Sequence, residues 1–347
     1  MTRTAVFDGH NDLLLRLLAG NVTPEQVADG LPDGHIDLPR AVKGGFAGGM
    51  FAIFVPSVGE GIDHAAMTKP PYDLPLPDRV DETTAAAFVE RGLDRLQALE
   101  TAGAVSLCRT AGEIEDTLTA DQMAAVAHIE GAEGVDRDFA RLHDWHARGL
   151  RSLGPVWSRD TVWGYGVPFR YPSDGDIGPG LTDAGKALIR ECNHLKIMVD
   201  LSHLNVKGME DVANITSHPL VATHSNAHAI CPHARNLTDR QLHMIRDSDG
   251  MVGLNFASAF LRPDGKMDAD FSIDVMLQHL DHMIDLLGET RVGLGSDFDG
   301  ALVPAPIKDC AGLPVLIDAM QARYGAVLTE QIAHGNWIRV LRQTWGV

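Results

Sequence analysis

Eight short apolar runs, alternating with helical patterns along 347 residues, restrict the fold of this chain more than any other feature. They are Thr4–Phe7, Gly49–Val55, Met123–Ile129, Leu150–Val156, Ile197–Leu201, Leu220–Thr223, Met251–Asn255 and Val292–Gly295. Most are continuous, without polar alternation. A strand covered on one face alternates, whereas a strand buried on both faces does not, and parallel sheets are of the second kind. Between the runs, Thr84–Thr101, Thr182–Leu195, Thr238–Arg246 and Ser272–Leu287 read as helices. Thr182-Asp183 supplies a capping signal, and Phe88, Leu93, Leu96 and Leu99 form an apolar stripe. Strands alternating with helices imply a parallel sheet. Eight of them predict a (β/α)8 TIM barrel, with residues 1–347 as a single catalytic domain. A doubly wound open sheet is the alternative, but no GxGxxG follows any strand.

A barrel of this kind builds its binding site from the loops at the strand C-termini. Three long stretches occupy such places: the Pro- and Gly-rich Gly59–Asp81, the aromatic Arg159–Gly180, and Leu261–Ala269. The formal charge is −18, with 47 acidic against 29 basic residues. That balance argues against nucleic acid and anionic membranes as partners, because both call for basic patches. It leaves a cationic metal or a small zwitterion open. Cys108, Cys192, Cys231 and Cys310 are scattered with no CxxC, so they read as buried thiols. The first residues run straight into a strand with no apolar leader, and no run of about 18 apolar residues occurs, so a cytoplasmic protein is expected.

Chemistry-bearing residues fall at the ends of five of the eight runs. The first ends in His10-Asn11-Asp12, the third in Glu130, the fifth in His203, the sixth in His224 and the eighth in Asp297. Residues two apart on a strand share a face, so His10 and Asp12 are expected to project together. Mixed nitrogen and oxygen donors suit zinc. Two metals sharing one hydroxide need a carboxylate between them. Glu130 is the natural bridge, with His10 and Asp12 on one metal and His203 and His224 on the other. Asp297 is left to move protons between the attacking water and the leaving amine. His128 shares a face with Glu130 one layer deeper and reads as barrel core. His228 and His233 are ambiguous.

With these residues in place, the chain resembles the membrane (renal) dipeptidases, zinc peptidases of the amidohydrolase type. The likeness rests on DGHNDL (8–13), HIDLPRAVKGGFAGGMFAIFVP (35–56), IEGAEG (129–134), LTDAGKALIRECNHLKIMVDLSHLN (181–205), THSNAHAICPHARNLTD (223–239) and GSDFDG (295–300). The resemblance implies two zinc ions, one on His10, Asp12 and Glu130, the other on Glu130, His203 and His224. It also implies that Arg235 takes the terminal carboxylate of the substrate and that Asp297 is the catalytic acid/base. The substrates implied are L-Xaa-L-Xaa and L-Xaa-D-Xaa dipeptides, cleaved by the hydroxide that bridges the metals. A homodimer is compatible with the family, although no interface is readable.

The chain departs from the family at one position. A substrate-binding His is expected at the end of the fourth strand, and Trp157 stands there instead, with no His between His146 and His194. Arg159 or the aromatic segment Trp163–Tyr171 is expected to replace the contact. The family's membrane anchor has no counterpart after Trp345-Gly346-Val347. Three other readings compete. N-acyl-D-amino-acid deacylation needs the same site. Phosphotriesterase or lactonase chemistry usually uses a carboxylated Lys on strand four and a first-strand HxH, both missing here. A non-catalytic metal-binding barrel would normally have lost a ligand, and none is lost.

Overall fold

The computed structural model describes residues 4–20, 22–57, 62–119 and 122–346. Eight parallel strands match the eight apolar runs: β1 (Val6–Asn11), β2 (Phe46–Phe54), β3 (Met123–Glu130), β4 (Leu150–Gly154), β5 (Met198–Val199), β6 (Val221–Ala222), β7 (Met251–Asn255) and β8 (Val292–Gly295). Their order is β5-β4-β3-β2-β1-β8-β7-β6. The two ends of this order meet in a parallel bridge between Asp200 and Val221, which closes a TIM barrel. An unanticipated short strand, Val105–Leu107, pairs with the start of β3.

Helices pack around the barrel. Those expected from the sequence begin where side-chain caps place them: Glu82–Thr101 after Asp81, Asp183–Leu195 after Thr182, and Asp239–Asp247 after Thr238 in a capping box with Gln241. The fourth, Asp274–Leu287, starts two residues later than expected. Val206–Ile215, Ala140–Arg148 and the C-terminal helices Leu313–Glu330 and Asn336–Trp345 were not anticipated. No helix among the described residues is long and apolar enough to cross a membrane. All four cysteines are buried free thiols.

The barrel floor is closed by the C-terminal segment. Trp337 is fully buried and donates from Nε1 to the Leu294 carbonyl at 2.9 Å. It packs with Phe7, Met50, Val126 and Met251 from four strands. The ring fits because β1 and β7 carry glycine beside it: a Cβ on Gly9 or Gly253 would come within 2.5 Å or 3.0 Å of the ring.

At the opposite end, the long loops are tied to one another. Tyr72–Asp73, from the stretch after β2, pairs antiparallel with Arg170–Tyr171, from the stretch after β4. The Tyr72 and Tyr171 hydroxyls each donate at 2.7 Å to the stretch after β7, at the Gly265 and Pro263 carbonyls. Gly59, Glu60 and Gly61 lie outside the described residues.

Candidate metal centre

The strand ends bring all six expected residues together. Glu130 Oε1 lies 2.9 Å from His203 Nε2, 3.5 Å from His224 Nε2 and 3.7 Å from His10 Nε2. Asp12 Oδ2 is 3.5 Å from His10 Nε2, and Asp297 gathers with this pair. His203 and His224 approach to 3.1 Å between their Nε2 atoms. The His10–Asp12 pair forms by a different route from simple alternation. Between Asp8 and Asn11, β1 holds one residue more than β2 holds between Gly49 and Phe51, so it bulges at Gly9-His10. Bulges next to active sites re-aim side chains in this way. The strand ends at Asn11, and Asp12 occupies the N-cap position of the helix Leu13–Leu18.

His224, His203 and Asp297 are each held by a neighbour. Thr223 Oγ1 donates to Asp200 Oδ2 at 2.7 Å and lies 2.8 Å from His224 Nδ1. The single hydroxyl proton is committed to the carboxylate, so the hydroxyl accepts from Nδ1–H and leaves the Nε2 lone pair facing Glu130. Ser158 Oγ is 2.9 Å from His203 Nδ1 and holds that ring. Asn255 Nδ2 donates to Asp297 Oδ2 at 3.0 Å. Asp8 accepts from the Ser296 amide and hydroxyl at 2.6 and 2.7 Å, fixing the turn in which Asp297 takes φ 60°. His128 lies one layer down, fully buried, with Nδ1 on Ser152 Oγ at 2.8 Å and Nε2 3.6 Å from Asp200.

The electrostatics describe a centre short of positive charge. Burial opposes a charged His10, yet Glu130, Asp12 and Asp297 outweigh it and push the imidazole up to about 10. Burial drives Glu130 well above the carboxylate range. Burial and the repulsion of Asp12 lift Asp297 to about 6. Burial holds His203 and His224 far below the ordinary imidazole value, with Arg235 and His10 adding to the effect, so both rings are neutral donors. Both His10 ring nitrogens are buried without a hydrogen-bond partner. Buried polar atoms are rarely left so. Three imidazoles and three carboxylates aimed at one volume, with orphaned ring nitrogens, fit divalent metal binding.

The centre opens into a cavity of about 490 Å³ lined by Asp12, Glu130, His203, His224 and Asp297. Trp157 lines it as well, its ring 5.7 Å from that of His203. Ile62, Phe169 and Met267 line it from the three long loops. Arg159 sits elsewhere than a substrate contact would: it is fully buried and does not line the cavity. Its Nη2 and Nε bind Glu133 Oε1 at 2.6 and 2.9 Å, and it donates to Ser57 Oγ and the Val55 carbonyl, each at 2.9 Å. Arg235 is likewise buried and outside the cavity lining, beside His203 and His224. It donates to the carbonyls of Ser202 and His224, and its Nε has no partner. His228 binds the Ser173 carbonyl, and His233 accepts from the Arg235 amide.

Several functional neighbours were not legible beforehand. Ser158, Thr223 and Asp200 orient ligands, and Phe54, Phe260 and Ser258 line the cavity. Ser258 Oγ is buried without a partner. Single serines and phenylalanines carry no pattern, so only Asp200, three residues before a predicted ligand, and Thr223, directly before another, offered a signal.

A TIM barrel that converges His, Asp and Glu side chains on one rim, beneath a closed-in cavity, defines a metal-dependent hydrolase. The family model described as membrane dipeptidase, peptidase family M19, matches residues 1–346, and the chain belongs to that family of metallo-dipeptidases. It is 51% identical to a metallo peptidase from Rhodobacter sphaeroides, solved with a phosphinate mimic of the dipeptide L-Ala-D-Ala, over 99% of this chain and 100% of that one, with a TM-score of 0.96. A second solved metallo peptidase of family M19, the dipeptidase AC, is also 51% identical, with full coverage of both chains and a TM-score of 0.96. A Klebsiella pneumoniae relative, described as an uncharacterized protein in the pqqA 5' region, is 47% identical over 245 residues, 70% of this chain and 90% of its own.

Proposed function

We propose that this chain, acting as one catalytic domain, is a two-zinc dipeptidase that cleaves L-Xaa-L-Xaa and L-Xaa-D-Xaa. The observation that carries the reading is the position of Glu130. One of its oxygens lies within 3.7 Å of the Nε2 atoms of His10, His203 and His224, so a single carboxylate reaches all three imidazoles. His10, Asp12 and Glu130 would hold one ion; Glu130, His203 and His224 would hold the other. Zinc held there would lower the pKa of a water to about 7 and polarise the scissile carbonyl.

The remaining work falls to the protein's own side chains. Asp297 lies beside Asp12 and is held by Asn255, so it can take a proton from the water and pass it to the leaving amine. Its carboxylate also suits the free α-ammonium of a dipeptide, which favours dipeptides over N-acyl amino acids. Arg235 uses two of its N–H donors on carbonyls behind the ligands and keeps others for a terminal carboxylate. Trp157 shapes the wall beside His203, and Arg159 supports that wall from behind. The Rhodobacter sphaeroides relative, with its L-Ala-D-Ala mimic, supports a C-terminal D-residue in the substrate.

The zinc-loaded protein is expected to release free amino acids from dipeptides faster than it deacylates N-acyl-D-amino acids, and to stop after chelation. Glu130→Gln is expected to lose both metal and turnover. Asp297→Asn is expected to keep its metal and lose about 10²–10⁴ in kcat. Full dipeptide activity without metal, or faster deacylation, contradicts the reading.

A further inference from the structure

We infer that the enzyme selects dipeptides whose C-terminal residue carries a large apolar side chain. The inference rests on the dipeptidase reading above and names the substrate class of the same site. Four aromatic rings form one continuous wall of the cavity. Phe54, at the end of β2, lies 4.7 Å from Trp157; Trp157 lies 5.7 Å from Phe169; and Phe169 lies 5.7 Å from Phe260. Met67 and Met267 continue the lining. No Lys or Arg lines the cavity among the described residues; Arg235, packed against Phe260 behind the lining, is taken by the terminal carboxylate in the dipeptidase reading, and the carboxylates of the lining, Asp12, Glu130 and Asp297, all belong to the metal centre. Apart from His64 and the hydroxyls of Ser57 and Ser258, nothing in the lining compensates an acidic side chain, and no acid outside the metal centre greets a basic one. Moving an unpaired charge onto such a surface is costly.

The wall has a definite side. It begins over His203, 5.7 Å from Trp157, and ends over Arg235, whose guanidinium lies 5.6 Å from the Phe260 ring. A substrate that gives its carboxylate to Arg235 and its ammonium to Asp297 turns the side chain of its C-terminal residue toward this wall. The N-terminal side chain then sits by Asp297, where Gly300 lines the cavity.

The wall is also preorganised. The Trp157 and Phe169 planes meet at 86°, an edge-to-face packing that holds both rings. Behind them the Arg159 guanidinium lies 5.7 Å from the Trp157 ring and 5.9 Å from Phe54, fixed by Glu133. A surface held open in this way gains affinity from apolar contact without first collapsing.

The test is kcat/KM of the zinc-loaded protein on two series, L-Ala-Xaa and L-Xaa-L-Ala. Xaa is Ala, Leu, Met, Phe, Asp or Lys, with C-terminal residues in both configurations. In the better configuration, Leu, Met and Phe are expected to exceed Ala by about tenfold or more, since one methylene in an apolar pocket is worth about 10- to 200-fold. Asp and Lys are expected below Ala, and the N-terminal series is expected to vary less. Trp157→Ala is expected to shrink the Phe-to-Ala ratio by about tenfold. Phe169→Leu, which keeps an apolar side chain, is expected to shrink the same ratio and decides the matter if Trp157→Ala does not fold. A flat C-terminal series at readily measured rates, a preference for Asp or Lys, or an unchanged ratio in the folded variants overturns the wall's role and leaves the dipeptidase reading standing. Absence of hydrolysis across both series overturns the two together.

Discussion

At the scale of single residues, the metal centre depends on hydrogen bonds that never touch a metal. His203 presents Nε2 to Glu130 because Ser158 Oγ, 2.9 Å away, holds Nδ1 on the other side of the ring. Such partners fix tautomer and orientation, and losing one typically costs about 10- to 100-fold in metal affinity or activity. Ser158→Ala is therefore expected to weaken metal binding by about that factor. Competition against a chromophoric chelator measures it, and an unchanged affinity would show that Ser158 does not position His203. Arg159 illustrates a different reassignment. Its proximity to Trp157 in sequence suggested a substrate contact, yet its charge is spent on Glu133 Oε1, which accepts from both Nη2 and Nε. A buried cation this close to a buried carboxylate is held by it, and sequence proximity carries no information about which way the side chain turns.

At the scale of elements, the loops after β6 and β7 are clamped by the helix Asp274–Leu287 through His279. Its Nδ1 accepts the Ala227 amide at 3.1 Å, and its Nε2 faces the Leu261 carbonyl at 2.8 Å. One nitrogen must accept and the other donate, which only neutral imidazole can do. Burial accordingly lowers its pKa to about 4. Because the folded value lies below the unfolded one, about 6.5, the unfolded chain binds more protons between the two, and stability falls as pH drops through that window. His279 is expected to account for about 2 kcal/mol of lost stability between pH 7 and pH 5. Comparing urea midpoints of the parent and His279→Gln at both pH values isolates it. An identical pH slope in the two proteins would rule this out.

At the scale of the whole molecule, the C-terminus closes the barrel at the end opposite the metal centre. Trp337 fills the floor where Gly9 and Gly253 make room, about 330 residues from one of them along the chain. Trp337→Ala is expected to cost about 3–5 kcal/mol by leaving a cavity at the convergence of four strands. Urea denaturation reads the loss, and a cost below about 1 kcal/mol would mean that the floor can collapse around the gap. Nothing in the sequence marks this plug. Tryptophan in an amphipathic segment says only that the segment packs, and the glycines across the barrel read as ordinary strand glycines.

The sequence by itself determined the architecture and which residues meet at the candidate metal centre. Continuous apolar runs mark strands buried on both faces, and a barrel of eight such strands brings their C-terminal residues to one rim, so His10, Asp12, Glu130, His203, His224 and Asp297 could be read off by position alone. The tertiary structure decided what surrounds them: the bulge that re-aims His10, Ser158 on His203, Arg159 on Glu133, and the wall from Phe54 to Phe260. Those contacts join residues from different strands and loops. Which of many similar side chains meet there depends on packing density and register, quantities that arise only when the whole chain has closed on itself.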